Sequence, residues 1–148
     1  MTVLADNKVK PSVVGSAELT HGTLESHDLG PSRDLYEKVL RLRCVRHAPV
    51  SQLIGGCGDT CVVSVKAGDK LSPQGDENRW VIAAGSEQAV ADIHRDAAAS
   101  DYVKELGDIT TKDGVSRFVL QDGDSNWWEV TSLPEDYYQQ FFERGDIA

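Results

Sequence analysis

A glutamate stands in an apolar strand near the end of the sequence. Glu129 follows two tryptophans in the run Trp127-Trp128-Glu129 and precedes Val130. Because side chains alternate across a β-strand, we expect Glu129 to share one face with Trp127. A carboxylate among apolar groups needs a hydrogen-bonding partner, a proton or a metal ion. The simpler alternative is a solvated glutamate at the end of a strand.

Further polar side chains that could act with Glu129 lie in the first predicted strand, residues 19–29. Alternation along this strand gives one face to five residues: Leu19, His21, Thr23, Glu25 and His27. Glu25 or His27 could approach a metal ion held by His21. An extended strand nevertheless separates His21 from His27 by about 20 Å, so the two cannot bind one ion without a bend.

The composition is that of a globular protein with one domain. The chain has 148 residues, of which 40% are hydrophobic and 26% are charged. Its net charge of −9, from 15 basic and 24 acidic residues, opposes binding to nucleic acid and to anionic lipid. No apolar stretch approaches the roughly 20 residues that span a membrane, and the first residues lack the apolar run of a secretory signal. We therefore expect neither a nucleic acid nor a membrane as partner.

The cysteines fit a reduced, cytoplasmic protein. There are three of them, and an odd number does not give a closed disulfide framework. Cys57 and Cys61 are close in sequence, but two cysteines without a second pair are weak evidence for a zinc site. Small buried residues are the commoner role for such cysteines.

The order of one strand, one helix and three strands occurs twice. The first copy covers residues 18–67 and the second covers residues 78–133, with a polar linker between them. Strands are predicted at residues 19–29, 42–48, 51–55, 60–66, 79–84, 107–112, 115–121 and 127–132. Helices are predicted from residue 31 or 32 to 40 and at residues 87–99. The repeat predicts an α+β fold, with a mobile tail at residues 1–17 and a short C-terminal helix within residues 134–148.

The closing strand-turn-strand segment resembles that of the vicinal oxygen chelate superfamily. This superfamily includes glyoxalase I, extradiol dioxygenases, methylmalonyl-CoA epimerase, fosfomycin-resistance enzymes and bleomycin-resistance proteins. The strand that contains His21 is similar to its first strand, and the helix that follows is similar to its first helix. The resemblance covers about residues 18–133 and implies two βαβββ modules that form a cupped mixed sheet, with the site inside the cup.

The resemblance also implies metal-ligand positions at the ends of the two modules. His21 matches the first position and Glu129 the last. The position at the end of the first module falls at Ser64, and the one that opens the second module falls at Arg79 or Trp80. Neither serine nor arginine is a good ligand. We therefore expect a divalent metal (Fe, Mn, Zn or Ni) to be held weakly or to be absent, and a hydrogen-bonded pair without metal is an equal alternative.

A site without metal could still catalyse a proton transfer. The guanidinium of Arg79 could hold a substrate carboxylate or enolate, with Glu129 or His21 as the base. We therefore regard His21, Glu129 and Arg79 as the candidate catalytic residues. The candidate substrate-binding residues are Thr23, Glu25, His47, Ser64 and Trp127.

Two classes of function follow from the resemblance. The first is an enzyme of lyase, isomerase or dioxygenase type that acts on a small oxygenated molecule. The second is a binding protein that sequesters a drug, as bleomycin-resistance proteins do. For either class we expect a homodimer, with the aromatic pairs Tyr137-Tyr138 and Phe141-Phe142 near the contact, because open sheet edges are usually covered. We also expect His21 and Glu129 to meet in one cup.

Overall fold

The computed structural model describes residues 17–56 and 60–147, and it has the α+β fold with two modules that the sequence predicts. The strands are β1 (His21–Ser26), β2 (Arg43–Ala48), β3 (Ser51–Gly55), β4 (Cys61–Lys66), β5 (Arg79–Ala83), β6 (Val103–Leu106), β7 (Thr110–Lys112), β8 (Val115–Asp122) and β9 (Trp127–Thr131). The helices are α1 (Leu29–Asp34), which continues as a π-helical segment (Leu35–Val39), α2 (Glu87–Ala98) and α3 (Gln139–Arg144). None of the helices in the described part of the chain has the length and apolar character needed to cross a membrane. Nearly all of the tail predicted at residues 1–17 lies outside the described residues.

The first module is a four-stranded sheet in the order β1-β4-β3-β2, in which β1 runs parallel to β4. Helix α1 begins earlier than predicted, because the Asp28 carboxylate accepts a hydrogen bond from Leu29 N at 2.8 Å and caps the helix there. Pro31 then lies in the first turn, where its missing N–H costs nothing. The π-helical segment ends where Leu40 N donates to Leu35 O at 3.0 Å. This segment buries Leu35, Tyr36 and Val39.

The second module is a sheet in the order β5-β9-β8-β6, with β7 also paired to β8. Helix α2 begins at the predicted residue, where Ser86 caps it by accepting a hydrogen bond from Ala89 N at 3.0 Å. The single strand predicted at residues 107–112 is wrong, because pairing with β8 is split between β6 and β7. Gly107 still donates to Val119 O at 2.8 Å, and the chain then leaves the ladder until Thr110.

Both modules contribute to one hydrophobic core. Trp128 from β9 and Tyr36 from the π-helical segment meet there, with ring centroids 5.7 Å apart. Trp128 and Val130 are buried in this core, while Glu129 lies on the opposite face, as the alternation predicts. Each large apolar side chain buried in this way stabilises the fold by about 1.5–3 kcal/mol.

The two sheets meet side by side at β1 and β5. A Cβ atom on Gly22 would overlap the indole ring of Trp80, so only glycine allows this approach. The strands are not joined by a main-chain ladder, because β1 pairs only with β4 and β5 only with β9. The packing of Trp80 against Gly22 therefore helps to set the distance between the two modules.

A buried carboxylate in the β8–β9 turn ties the modules together. Asp124 is 2% exposed and accepts hydrogen bonds from His27 N at 2.7 Å, Ser32 Oγ at 2.6 Å and Tyr102 Oη at 2.6 Å. Burial, together with the bond to Asp124, raises the pKa of Tyr102, so its hydroxyl stays a donor. Asn126 adds a fourth bond, from its Nδ2 to Glu25 O at 2.7 Å.

Asp122 orders the same turn from inside. Its carboxylate accepts hydrogen bonds from Trp128 Nε1 at 2.9 Å, Asp124 N at 2.8 Å and Asn126 N at 3.0 Å. Burial raises the pKa of Asp122 to about 7, and the nearby Asp124 charge adds to the shift, while these three hydrogen bonds oppose it.

We predict that Asp124→Ala destabilises the protein by about 2–4 kcal/mol. The substitution removes the shared acceptor and leaves the partly buried Tyr102 hydroxyl and His27 N–H without it, whereas Ser32 Oγ keeps its bond to Asp28 O at 2.7 Å. Urea unfolding would measure the change. Asp69→Ala is the matched control, since the Asp69 side chain is 98% exposed. Equal stability of the two variants would contradict the prediction.

We predict that the proton on Asp122 contributes to the free energy of unfolding and that this contribution falls as the pH rises. The folded state keeps the Asp122 proton up to about pH 7, whereas the unfolded chain releases it near the ordinary pKa of 3.8. The stabilisation is therefore complete below pH 3.8 and is lost as the pH passes through about 7. Its size is about 4 kcal/mol at most. Unfolding curves of wild type and Asp122→Asn should diverge across this range, and parallel curves would refute the assignment.

Candidate functional site

A cleft opens where the facing edges of the two modules meet. Its volume is about 430 Å³. Strand β1 supplies Thr23 and Glu25 to its wall, β5 supplies Arg79, and β9 supplies Trp127. Four of the candidate site residues therefore line one cavity. Asn126 and the segment between the modules complete the wall.

Arg79 in the cleft wall forms a charged pair with Glu129, which lies behind it. Arg79 Nε donates to Glu129 Oε1 at 3.0 Å, and Arg79 Nη1 donates to Asp76 O at 2.9 Å. The Glu129 side chain is 8% exposed and that of Arg79 is 29% exposed, so the arginine covers the carboxylate. Within residues 17–56 and 60–147, Arg79 Nη2 has no hydrogen-bonding partner. The guanidinium is thus fixed by two contacts and keeps donors for a ligand.

Two other side chains of the cleft bind the segment that joins the modules. Glu25 Oε1 accepts a hydrogen bond from Ser72 N at 2.8 Å. Trp127 Nε1 donates to Gln74 O at 3.0 Å. Both side chains are held in position by the backbone of the linker.

His21 lies beside the cleft and not in its wall. It is exposed, with Nδ1 2.8 Å from Thr20 Oγ1, and it opens β1 opposite Cys61. Alternation along β1 gives His21 the same face as Thr23, about 7 Å away along the strand. Both candidate ligands, His21 and Glu129, therefore face the same side of the molecule. How closely they approach each other stays a prediction.

The structure does not bring Ser64 or His47 to the cleft. Ser64 is fully buried on the core side of β4, where its hydroxyl contacts Ser26 Oγ and lies 3.5 Å from Tyr36 Oη. His47 is exposed at the end of β2, with Nε2 3.4 Å from Ser51 Oγ.

The strand registers identify the residue that corresponds to Glu129 in the first module. In the second module Arg79 opens β5, and Glu129 pairs with Val81, two residues further on. In the first module His21 opens β1, and Thr23 pairs with Val63. Val63, one residue before Ser64, therefore occupies the equivalent position, and valine offers no donor atom.

These residues do not fit a tightly held metal ion. The side chain of Val63 supplies no ligand atom, and the carboxylate of Glu129 is already bound by the guanidinium of Arg79. Among the residues that the structure describes, no group of three or more His, Cys, Asp or Glu side chains is arranged to hold a metal. Cys57, one half of the possible zinc pair, lies outside those residues.

Sequence reasoning did not identify Asn126 or the linker residues as part of the site. Asn126 stands in a run of turn formers, which predicts a hairpin and nothing about its distant partner, Glu25. The linker is polar and contains proline and glycine, which predicts a loop. No local signal indicates that it lies against the cleft.

The fold is shared with solved structures of several oxidases, glyoxalases and resistance proteins. The oxidase ChaP-H2 has a TM-score of 0.64 and 15% identity, over 80% of this chain and 95% of its own. A glyoxalase/bleomycin resistance protein from Albidiferax ferrireducens T118 has a TM-score of 0.63 and 15% identity, over 80% of this chain and 100% of its own. The fosfomycin resistance protein FosX from Listeria monocytogenes has a TM-score of 0.63 and 13% identity, over 82% and 98%.

Comparison of the sequence with family models and with curated proteins found no match. The likeness to the solved structures, at identities of 13–15%, concerns the fold. The predicted resemblance is confirmed at that level, and the chain has the paired βαβββ fold of the vicinal oxygen chelate superfamily.

Proposed function

We propose that this protein is an enzyme that works without a metal ion and moves a proton beside a carbonyl group of a small oxygenated molecule. The observation that carries the proposal is the ion pair between Arg79, in the cleft wall, and Glu129 behind it. A permanent cation stands where a metal ligand was expected, and it neutralises the one buried carboxylate of the expected ligand set.

Arg79 is the group that receives the substrate oxygen. Its Nε bond to Glu129 orients the guanidinium, and its Nη2 hydrogens are available to a carboxylate, carbonyl or enolate oxygen. Preorganised donors of this kind stabilise the charge that develops on the oxygen when a neighbouring C–H bond ionises. Arg79 thereby supplies the positive charge that the reaction needs.

A carboxylate or imidazole acts as the base. Glu25 lies in the cavity wall, Glu129 lies behind Arg79, and His21 stands beside the cleft on the same face. The base takes the proton from carbon, the electron pair of that C–H bond forms a C=C bond, and the π pair of the carbonyl moves onto its oxygen, which gives an enolate facing Arg79. Return of the proton to the other face, or to another carbon, completes an isomerisation. Loss of a leaving group from the adjacent carbon instead gives a lyase reaction.

We predict that the protein accelerates exchange of carbon-bound hydrogen in a ketone or 2-oxo acid. Proton NMR in D2O with a panel of such compounds would detect the exchange. Arg79→Ala should lower kcat/KM about 10²- to 10³-fold, because the oxygen loses its fixed donor. Glu129→Gln should also weaken activity, because Arg79 then loses its charged partner.

Arg117→Ala is the matched control, since this arginine is exposed on β8 and lies outside the cleft wall. It should exchange substrate as fast as wild type. Binding without any exchange would instead favour a protein that sequesters its ligand. Activity that requires added Fe, Mn, Zn or Ni and survives Arg79→Ala would overturn the proposal.

We propose further that the protein acts in the cytoplasm as a homodimer, with its C-terminal aromatic residues at the contact. Tyr138 and Phe142 are each 68% exposed, although the rings of Tyr137, Tyr138 and Phe141 pack together within 5.1–5.6 Å. Exposed apolar surface of this kind is typical of an interface.

We predict a dimer in sedimentation velocity at micromolar concentration. Phe142→Glu should shift it to monomer, because the substitution places a charge in the apolar contact. Gln140→Glu adds the same charge on the same helix at an exposed polar residue, and it should leave the dimer intact. A monomeric wild-type protein would contradict the proposal.

A further inference from the structure

The linker between the modules is bound to the cleft by its own backbone. We refer to residues 72–76 as the strap. Three of its backbone groups bond to three side chains of the cleft: Ser72 N to Glu25, Gln74 O to Trp127, and Asp76 O to Arg79, at 2.8, 3.0 and 2.9 Å. These side chains come from β1, β9 and β5, so the strap reaches both modules.

The strap is attached at the surface of the protein. Every residue from 72 to 78 is exposed, and none of them belongs to the hydrophobic core. A turn lies at each end of the strap. Before the strap, Lys70 N donates to Ala67 O at 3.1 Å, and at its C-terminal end Asn78 N donates to Gly75 O at 2.9 Å. Segments with few buried apolar contacts and exposed hydrogen bonds open locally at low free energy. The strap can therefore detach while the core stays packed.

The strap also occupies the groups that a ligand of the cleft would use. Glu25 accepts an N–H from the strap, and Trp127 and Arg79 each donate to one of its carbonyl oxygens. A ligand that binds all three groups must offer one N–H or O–H donor and two acceptor oxygens. The charges also favour one orientation of the ligand, because a negatively charged acceptor oxygen suits Arg79 and a cationic donor suits Glu25.

We propose that the strap is a displaceable internal ligand of the cleft, and that the external ligand takes over its bonds to Glu25, Trp127 and Arg79. The ligand is then a small polar molecule with a carboxylate or carbonyl at one end, a second carbonyl, and an N–H or O–H donor at the other end. This inference rests on the proposed function only in taking this cleft as the ligand site. It adds that binding opens the strap.

The first experiment tests detachment without any ligand. Hydrogen exchange of the Ser72 amide and trypsin cleavage after Lys70 report the open strap. Trp127→Phe keeps the aromatic ring but removes the indole N–H, and it should raise both rates about two- to tenfold, the effect of one lost hydrogen bond. Arg43→Lys is the matched control, because it removes the Nε bond of an exposed arginine to a backbone carbonyl, Gly56 O, away from the strap.

The rates themselves decide whether opening is local. Exchange and cleavage that stay independent of low urea concentrations support a strap that opens alone. Rates that follow global unfolding in urea, or equal rates in Trp127→Phe and Arg43→Lys, would overturn the proposal.

The second experiment tests displacement with glycylglycine, which has a carboxylate, an amide carbonyl and N–H donors. NMR titration should give a dissociation constant at least threefold lower in a variant whose residues 72–76 are replaced by Gly-Gly-Ser-Gly-Gly. The replacement keeps the three backbone groups, but the greater backbone freedom of glycine favours the detached strap. In wild type the dipeptide should speed exchange of the Ser72 amide. Slower exchange, or no binding to either protein, would overturn the inference. Failure of the proposed function would appear separately, as absent hydrogen exchange in the ketone panel with these strap measurements unchanged.

Discussion

The geometry of the cleft depends on the buried carboxylate of Asp124. Its oxygens accept hydrogen bonds from the chain just after β1, from α1 and from Tyr102, so one group of the second module holds the start of the first helix. Asn126, two residues further on, holds the backbone of Glu25. Because β1 and β5 share no main-chain ladder, these bonds, with the Trp80–Gly22 contact, fix how far Glu25 lies from Arg79.

Sequence periodicity predicted the parts of the fold whose signals are local. Side-chain alternation along β9 predicted that Glu129 lies on the face opposite Trp128, and the helix predicted at residues 87–99 begins at Glu87 as expected. The prediction for Ser64 used a position aligned by resemblance. An offset of one residue in a strand moves a side chain to the other face, so Ser64 lies in the core and Val63 corresponds to Glu129.

The remaining site could not be predicted because its contacts join distant parts of the chain. The run from Asp122 to Asn126 is dense in turn formers, and it does form a turn. The Asp124 carboxylate nevertheless accepts hydrogen bonds from groups that local sequence does not indicate, in residues 92 and 97 positions away. The contacts of the linker could not be predicted either, since only the folded modules bring Glu25 and Trp127 to its backbone.

An arginine in the cleft changes what the rest of the site must supply. A divalent metal needs several donor atoms at fixed positions, and each donor ties a residue to one role. A guanidinium carries its charge without ligands and needs only one carboxylate to orient it, which Glu129 provides at 3.0 Å. The position of Val63 can then be apolar, and Glu25 need not serve as a metal ligand. In our proposal the site keeps a positive centre beside Glu129, and covalently attached charge takes the place of a coordinated ion.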